Sequence, residues 1–204
     1  FLDAHPDVDV NLYVSNIGWR ALHYTANSGY MDSMRLLIER NADINITSSS
    51  GTTAVSFAAM GHPECLELLI ENNADIRLAD KLSSAPLHQA VDYSRSRCVS
   101  LLIDAKADVN VQDENGETPA MYACRGHIDC LQLLLDNKAD IHAMATGGGD
   151  SLYFAIQSDL WRLCYAERGL SFAVLSCNTD SKNVHVDNED DFRPLTQAKI
   201  SELI

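Results

Sequence analysis

Three short stretches carry side chains that could do chemistry. Cys124-x2-His127-x2-Cys130 offers two thiols and an imidazole within seven positions, the donor types that hold zinc. A structural zinc site wants four ligands at characteristic spacing, and this stretch supplies three. Gly147, Gly148 and Gly149 stand in a row. No Gly-Lys-Ser/Thr follows them, so they read as a flexible turn and not as a phosphate-cradling loop. The acidic run from Asp187 to Asp191 could attract a cation or a basic partner, or serve as a solvated loop. Gly-x-Ser-x-Gly, His-Glu-x-x-His and a calcium-loop pattern are all missing from the 204 residues. No nucleophile has an identifiable base. The reading is therefore a protein without a catalytic, metal or cofactor site in these residues, and the elements that would position its side chains become the informative part.

Those elements repeat. The pair Ala-Asp recurs at Ala42-Asp43, Ala74-Asp75, Ala107-Asp108 and Ala139-Asp140, in steps of 32, 33 and 32 residues. A double aliphatic keeps the same beat at Leu36-Leu37, Leu68-Leu69, Leu101-Leu102 and Leu133-Leu134. So do the small residues Thr25, Ala58, Ala90, Ala123 and Ala155. One unit, Asn115 to Ile141, shows how each is built. Asn115-Gly116 signals a turn. Thr118-Pro119 starts a short helix, with a hydroxyl to cap free N–H groups and a proline where none is needed. Gly126-His127 turns the chain. Ile128, Leu131, Leu134 and Leu135 then fall on one face of a second helix.

A period of about 33 residues with a turn and two helices resembles the ankyrin repeat. The family's helix-start motif is visible as Arg20-Ala21-Leu22-His23 and Ala85-Pro86-Leu87-His88, and its closing segment as Ala107-Asp108-Val109-Asn110. The resemblance implies an all-α ankyrin-repeat solenoid of β-turn or hairpin fingers and antiparallel helix pairs. It implies that His23 and His88 hydrogen-bond the finger backbone and that His127 is a turn histidine. It also implies a protein partner, gripped by finger tips and the far ends of the first helices on a concave side. The matching positions are Trp19, Asn27, Ser28, Thr52, Met60, Leu82, Tyr93, Glu117 and Arg125. Trp19, Tyr93 and Arg125 are the expected anchors, since Trp, Tyr and Arg dominate interface energy. Trp19 could instead pack against an upstream repeat. Asn45 and Asn110 resemble the ankyrin asparagines that an oxygen-dependent asparaginyl hydroxylase accepts, or they tie the hairpins together.

One array is expected over 1–204. Residues 1–14 close a truncated repeat; 15–46, 47–78, 79–111 and 112–143 are regular; 144–187 form a longer repeat with an insertion of about ten residues; 188–204 begin another. Both ends fall inside a repeat, which suggests an excerpt from a longer protein. Within the long repeat, Ser151 to about Glu167 reads as one helix. Trp161 and Tyr165 share a side of it, for core packing or for docking. The expected role is an interaction scaffold, with a non-catalytic targeting region of a multidomain enzyme or effector as the other reading.

The family usually ends its second helix on a glycine. This chain has Asn41, Asn73, Lys106 and Lys138 there. Asparagine tolerates a left-handed backbone, whereas lysine is expected to pay about 1–2 kcal/mol for it.

Charge and cysteine usage bound the rest. Net charge is −14, from 15 basic and 29 acidic residues. That argues against nucleic-acid binding, which depends on neutralising phosphates. It favours basic partners or simply aids solubility. No apolar run reaches the ~18–20 residues of a membrane span, and no signal peptide opens the sequence, so the Asn45-Ile46-Thr47 sequon is expected to be idle. Cys65, Cys98 and Cys130 recur at equivalent positions. Stacked helices lie about 8–10 Å apart, beyond the ~7 Å that a disulfide allows. These cysteines read as core thiols of a reducing compartment, cytoplasmic or nuclear.

Overall fold

A computed structural model describes residues 9–149 and Ser151. The expectations for the long repeat, for Trp161 and Tyr165, for the acidic run and for the final partial repeat lie outside the described residues.

Among the described residues, eight short helices form four antiparallel pairs. The inner row is α1 (Ala21–Ser28), α3 (Ala54–Ala59), α5 (Pro86–Asp92) and α7 (Pro119–Ala123). The outer row is α2 (Met31–Glu39), α4 (Pro63–Glu71), α6 (Ser96–Asp104) and α8 (Ile128–Asp136). Each helix packs on its partner and on its counterparts in neighbouring pairs. Fingers precede each pair. No extended strand forms among the described residues; the hairpin character survives as isolated bridges, Tyr13 to Arg20 and Thr47 to Thr53.

The repeating residues make the core. Leu37, Leu69, Leu102 and Leu134 are buried between the rows, as are Leu22, Val55, Leu87 and Ala120 on the inner helices. No pair could hide these side chains alone, so stacking supplies the core. Cys65, Cys98, Cys124 and Cys130 are buried thiols. Burial pushes the Cys98 and Cys130 thiols up to about 11, because it penalises the thiolate.

The second helices end as their sequences predict. Asn41, Asn73, Lys106 and Lys138 all have φ between 59° and 70°. Ala139 N–H then reaches back to the Leu134 carbonyl at 2.9 Å, which closes α8. The turn after α1 uses Gly29 at φ 71° for a second reason: a Cβ there would lie 2.5 Å from His62 Nδ1. His62 Nε2 meanwhile reaches the Asn27 carbonyl at 2.9 Å, tying the second pair to the first.

One local expectation fails. Thr118 was expected to cap α7, yet its Oγ1 is buried with no hydrogen-bond partner. Met121 stands where α1 and α5 carry histidine, and its Sδ takes the Thr118 N–H at 3.5 Å. Thr53 does cap α3, accepting from Ser56 N–H at 3.3 Å.

Candidate functional site

The fingers set the edge of the candidate face. Successive tips are joined by one backbone bond each: Ser49 N–H to the Ile17 carbonyl, Lys81 to Ser50, Glu114 to Leu82, and Thr146 to Asn115, at 2.7–3.2 Å. Side chains add a second set of ties. His23 Nδ1 accepts from Arg20 N–H at 3.1 Å, which leaves Nε2–H to donate to the Ile46 carbonyl of the next finger at 2.9 Å. His88 repeats this with Ala85 N–H at 3.1 Å and the Glu117 carbonyl at 3.1 Å. Both rings are fully buried. Burial holds both below the usual imidazole range, with the carbonyl bonds as a smaller opposing effect.

Asparagines supply the other tie. The side-chain carbonyl of Asn11 accepts from Asp43 N–H at 2.8 Å, that of Asn45 from Asp75 N–H at 2.8 Å, and that of Asn110 from Asp140 N–H at 2.7 Å. Both candidate hydroxylation residues, Asn45 and Asn110, are thus engaged across the gap between fingers.

On this frame the inner helices and finger flanks present columns of equivalent side chains. One column reads Trp19, Thr52, Ser84, Glu117; a second reads Tyr24, Phe57, Gln89, Tyr122; a third reads Asn27, Met60, Asp92, Arg125. These columns vary, unlike the leucine columns beneath them. At the first repeat the face is aromatic. Trp19 is half-buried, edge-on to Tyr24 with centroids 4.9 Å apart, and 4.5 Å from Phe57. Its cover therefore comes from its own helix and the next repeat. Tyr24 remains exposed. Met60 is half-buried against the core.

At the fourth repeat the face is polar. Asp113 is buried and accepts from Asn115 and Glu117 N–H through Oδ1, at 2.8 and 2.9 Å. Tyr122 donates its hydroxyl to Asp113 Oδ2 at 2.9 Å. Burial raises the Tyr122 phenol strongly, and the bond to Asp113 adds to it. The Arg125 guanidinium lies 4.3 Å over the Tyr122 ring and pairs with Glu117. An open cleft of about 550 Å³ beside it is lined by Asn115, Glu117, Ala145, Thr146 and the three glycines.

The expected partner-contact residues divide accordingly. Leu82, Tyr93, Asn27, Ser28 and Arg125 are exposed. Leu82 tops a finger and Tyr93 ends an inner helix, at opposite ends of the third repeat. Thr52 is buried, because its hydroxyl joins a chain with Ser50 and Ser48 inside the second finger. It offers little surface. Tyr24 and Tyr122 were missed as face residues. Their signal was available: they stand 33 residues from Phe57 and Gln89, in a column that changes while the leucine column at Leu37, Leu69, Leu102 and Leu134 does not.

Among the described residues no group of three or more His, Cys, Asp or Glu side chains is arranged to hold a metal ion, and no helix is long and apolar enough to cross a membrane. A search of curated proteins finds no match. A family model described as ankyrin repeats (3 copies) matches residues 1–80 and 77–145.

Proposed function

Because the chain belongs to the ankyrin-repeat family, whose arrays are generally protein–protein interaction modules, we propose that it is a scaffold that grips a protein partner on the face formed by its inner helices and fingers. One observation carries this reading. The leucine positions that build the stack keep their residue type from repeat to repeat, whereas the three columns along the inner helices and finger flanks do not, and most of their side chains reach the surface, with Thr52, Ser84 and Phe57 buried. Stacking needs only the backbone and the buried stripe. The changing columns are left to recognise something, which supports Trp19, Tyr24 and Arg125, together with Tyr93 at the end of α5, as the residues that would meet a partner. The net charge of −14 favours a partner with basic surface.

The test is recovery of partners from native extract by the wild-type chain and by Tyr24→Ala, Tyr93→Ala and Arg125→Ala. Glu67→Ala, on the outer helix α4, serves as control. The reading expects at least one partner to be lost from the face variants and kept by the control. Undiminished recovery of every partner by all three face variants would refute it.

A further inference from the structure

The ties between fingers are unevenly distributed. From the first finger to the second there are three side-chain ties: His23 to the Ile46 carbonyl, Arg20 to the Thr47 carbonyl and Asn11 to Asp43 N–H. From the second to the third there is Asn45. From the fourth to the fifth there are Asn110 to Asp140 N–H and a longer bond, 3.5 Å, from Gln112 to the Met144 carbonyl. Between the third and fourth, the asparagine position is Arg77, which folds back onto Asp75 of its own finger at 2.9 and 3.2 Å. Asp108 N–H is left with no asparagine to meet it. Among the described residues, the side-chain tie from the third repeat to the fourth finger is His88 alone.

The third repeat is also the most strained. It has Ser83 at φ 57° and Ser94 at φ 56° where its neighbours have glycine, as well as Lys106 at φ 70°. A left-handed backbone costs a non-glycine residue about 1–2 kcal/mol. This repeat therefore has least to spare when a tie is removed.

We propose that the junction between the third and fourth fingers is an acid-sensitive hinge, at which the array opens locally when His88 takes a proton. The chemistry is a conflict of donors. Neutral His88 accepts at Nδ1 from Ala85 N–H and donates from Nε2 to the Glu117 carbonyl. An imidazolium has a proton on both nitrogens, so Nδ1 can no longer accept. The ring has no exposed surface through which water could solvate the charge. It relieves both problems by swinging out, which releases the Glu117 carbonyl.

The groups facing His88 are Asp80 from the third finger, Asp113 from the fourth, and the Tyr122 ring of α7 at 5.1 Å. The two carboxylates favour the proton, and burial outweighs them. Opening thus belongs below the ordinary imidazole range. His23 has the same two bonds, but Asn11 still holds its junction when the imidazole leaves.

Hydrogen exchange measured from pH 7.5 to 5, corrected for the intrinsic chemical rate, tests this on the full chain. The fourth finger, 108–118, should lose protection by up to about tenfold per pH unit once below the ordinary imidazole range, the slope of a single proton taken up by the open state. Fingers two, three and five should hold. Arg77→Asn supplies the missing side-chain carbonyl and should raise protection of the fourth finger about fivefold over wild type at every pH, the worth of one hydrogen bond. His88→Met, the residue that the fourth repeat has at Met121, should make protection of 108–118 independent of pH. First loss at another junction, uniform loss along the array, or an Arg77→Asn variant that opens like the wild type would each overturn the proposal. The Arg77→Asn arm stands even where His88→Met fails to fold.

Discussion

Lys138→Gly gives the sharpest test of how the repeat ends. Lys138 sits at φ 65°, two residues past the end of α8, with its N–H on the Leu135 carbonyl at 2.9 Å and Ala139 N–H on Leu134. The bonds are made by backbone, so glycine keeps them. What changes is the left-handed backbone, which costs a residue with a Cβ about 1–2 kcal/mol. Glycine returns part of that, about 0.5–1 kcal/mol, through its larger unfolded-state entropy. The net gain expected is about 0.5–1 kcal/mol. For a chain of this size that raises the melting temperature by roughly 1–4 °C. Lys106 has the same geometry at φ 70° and lies a full repeat away, so the double variant should approach twice the shift. Thermal unfolding followed by helical ellipticity, with urea titration as a check, reads both. An unchanged or lower melting point for both single variants would show that no recoverable strain resides at these lysines.

Three further outcomes follow from the same structure. Leu102→Ala removes a fully buried side chain between the rows and should cost about 2–5 kcal/mol, seen as a lower urea midpoint. Cys98 and Cys130, buried and pushed up to about 11, should resist a thiol reagent at pH 8 until the chain is unfolded, and rapid labelling of the native protein would contradict their placement. Global stability should be flat above the ordinary imidazole range and fall as pH drops below about 6.5. The sign follows because burial keeps His23 and His88 neutral in the fold while the unfolded chain takes up protons; stability that rises on acidification over that range would refute it.

Periodicity made the helix pairs and their buried stripes legible, because leucines at a fixed beat have one way to be hidden. The left-handed helix ends were equally readable, since Asn41, Asn73, Lys106 and Lys138 stand where a backbone must reverse. The role of His23 and His88 was legible only through the resemblance of their helix-start motifs to the ankyrin repeat, and both do bond finger backbone. Relations between side chains of different repeats were harder. Trp19 could be placed at an edge but its neighbours could not, and they prove to be Tyr24 and Phe57. Thr52 looked like a surface residue because nothing local shows that Ser50 would claim its hydroxyl and Ser48 its N–H. The same blindness hid Met121, whose sulfur takes the Thr118 N–H while the Thr118 hydroxyl makes no cap. Each miss turns on a geometric rotamer choice that repeat spacing leaves open.

The row of tip-to-tip backbone bonds bears on how the molecule would respond to pulling. Each tip holds only the one before it, and the bonds lie in series along the stack. Tension applied at the two termini would load them one after another, not together. The chain should then lengthen in even increments, each the contour of one freed unit. With about 33 residues at ~3.3–3.6 Å apiece, that step is roughly 110–120 Å, so a force–extension trace should show evenly spaced teeth.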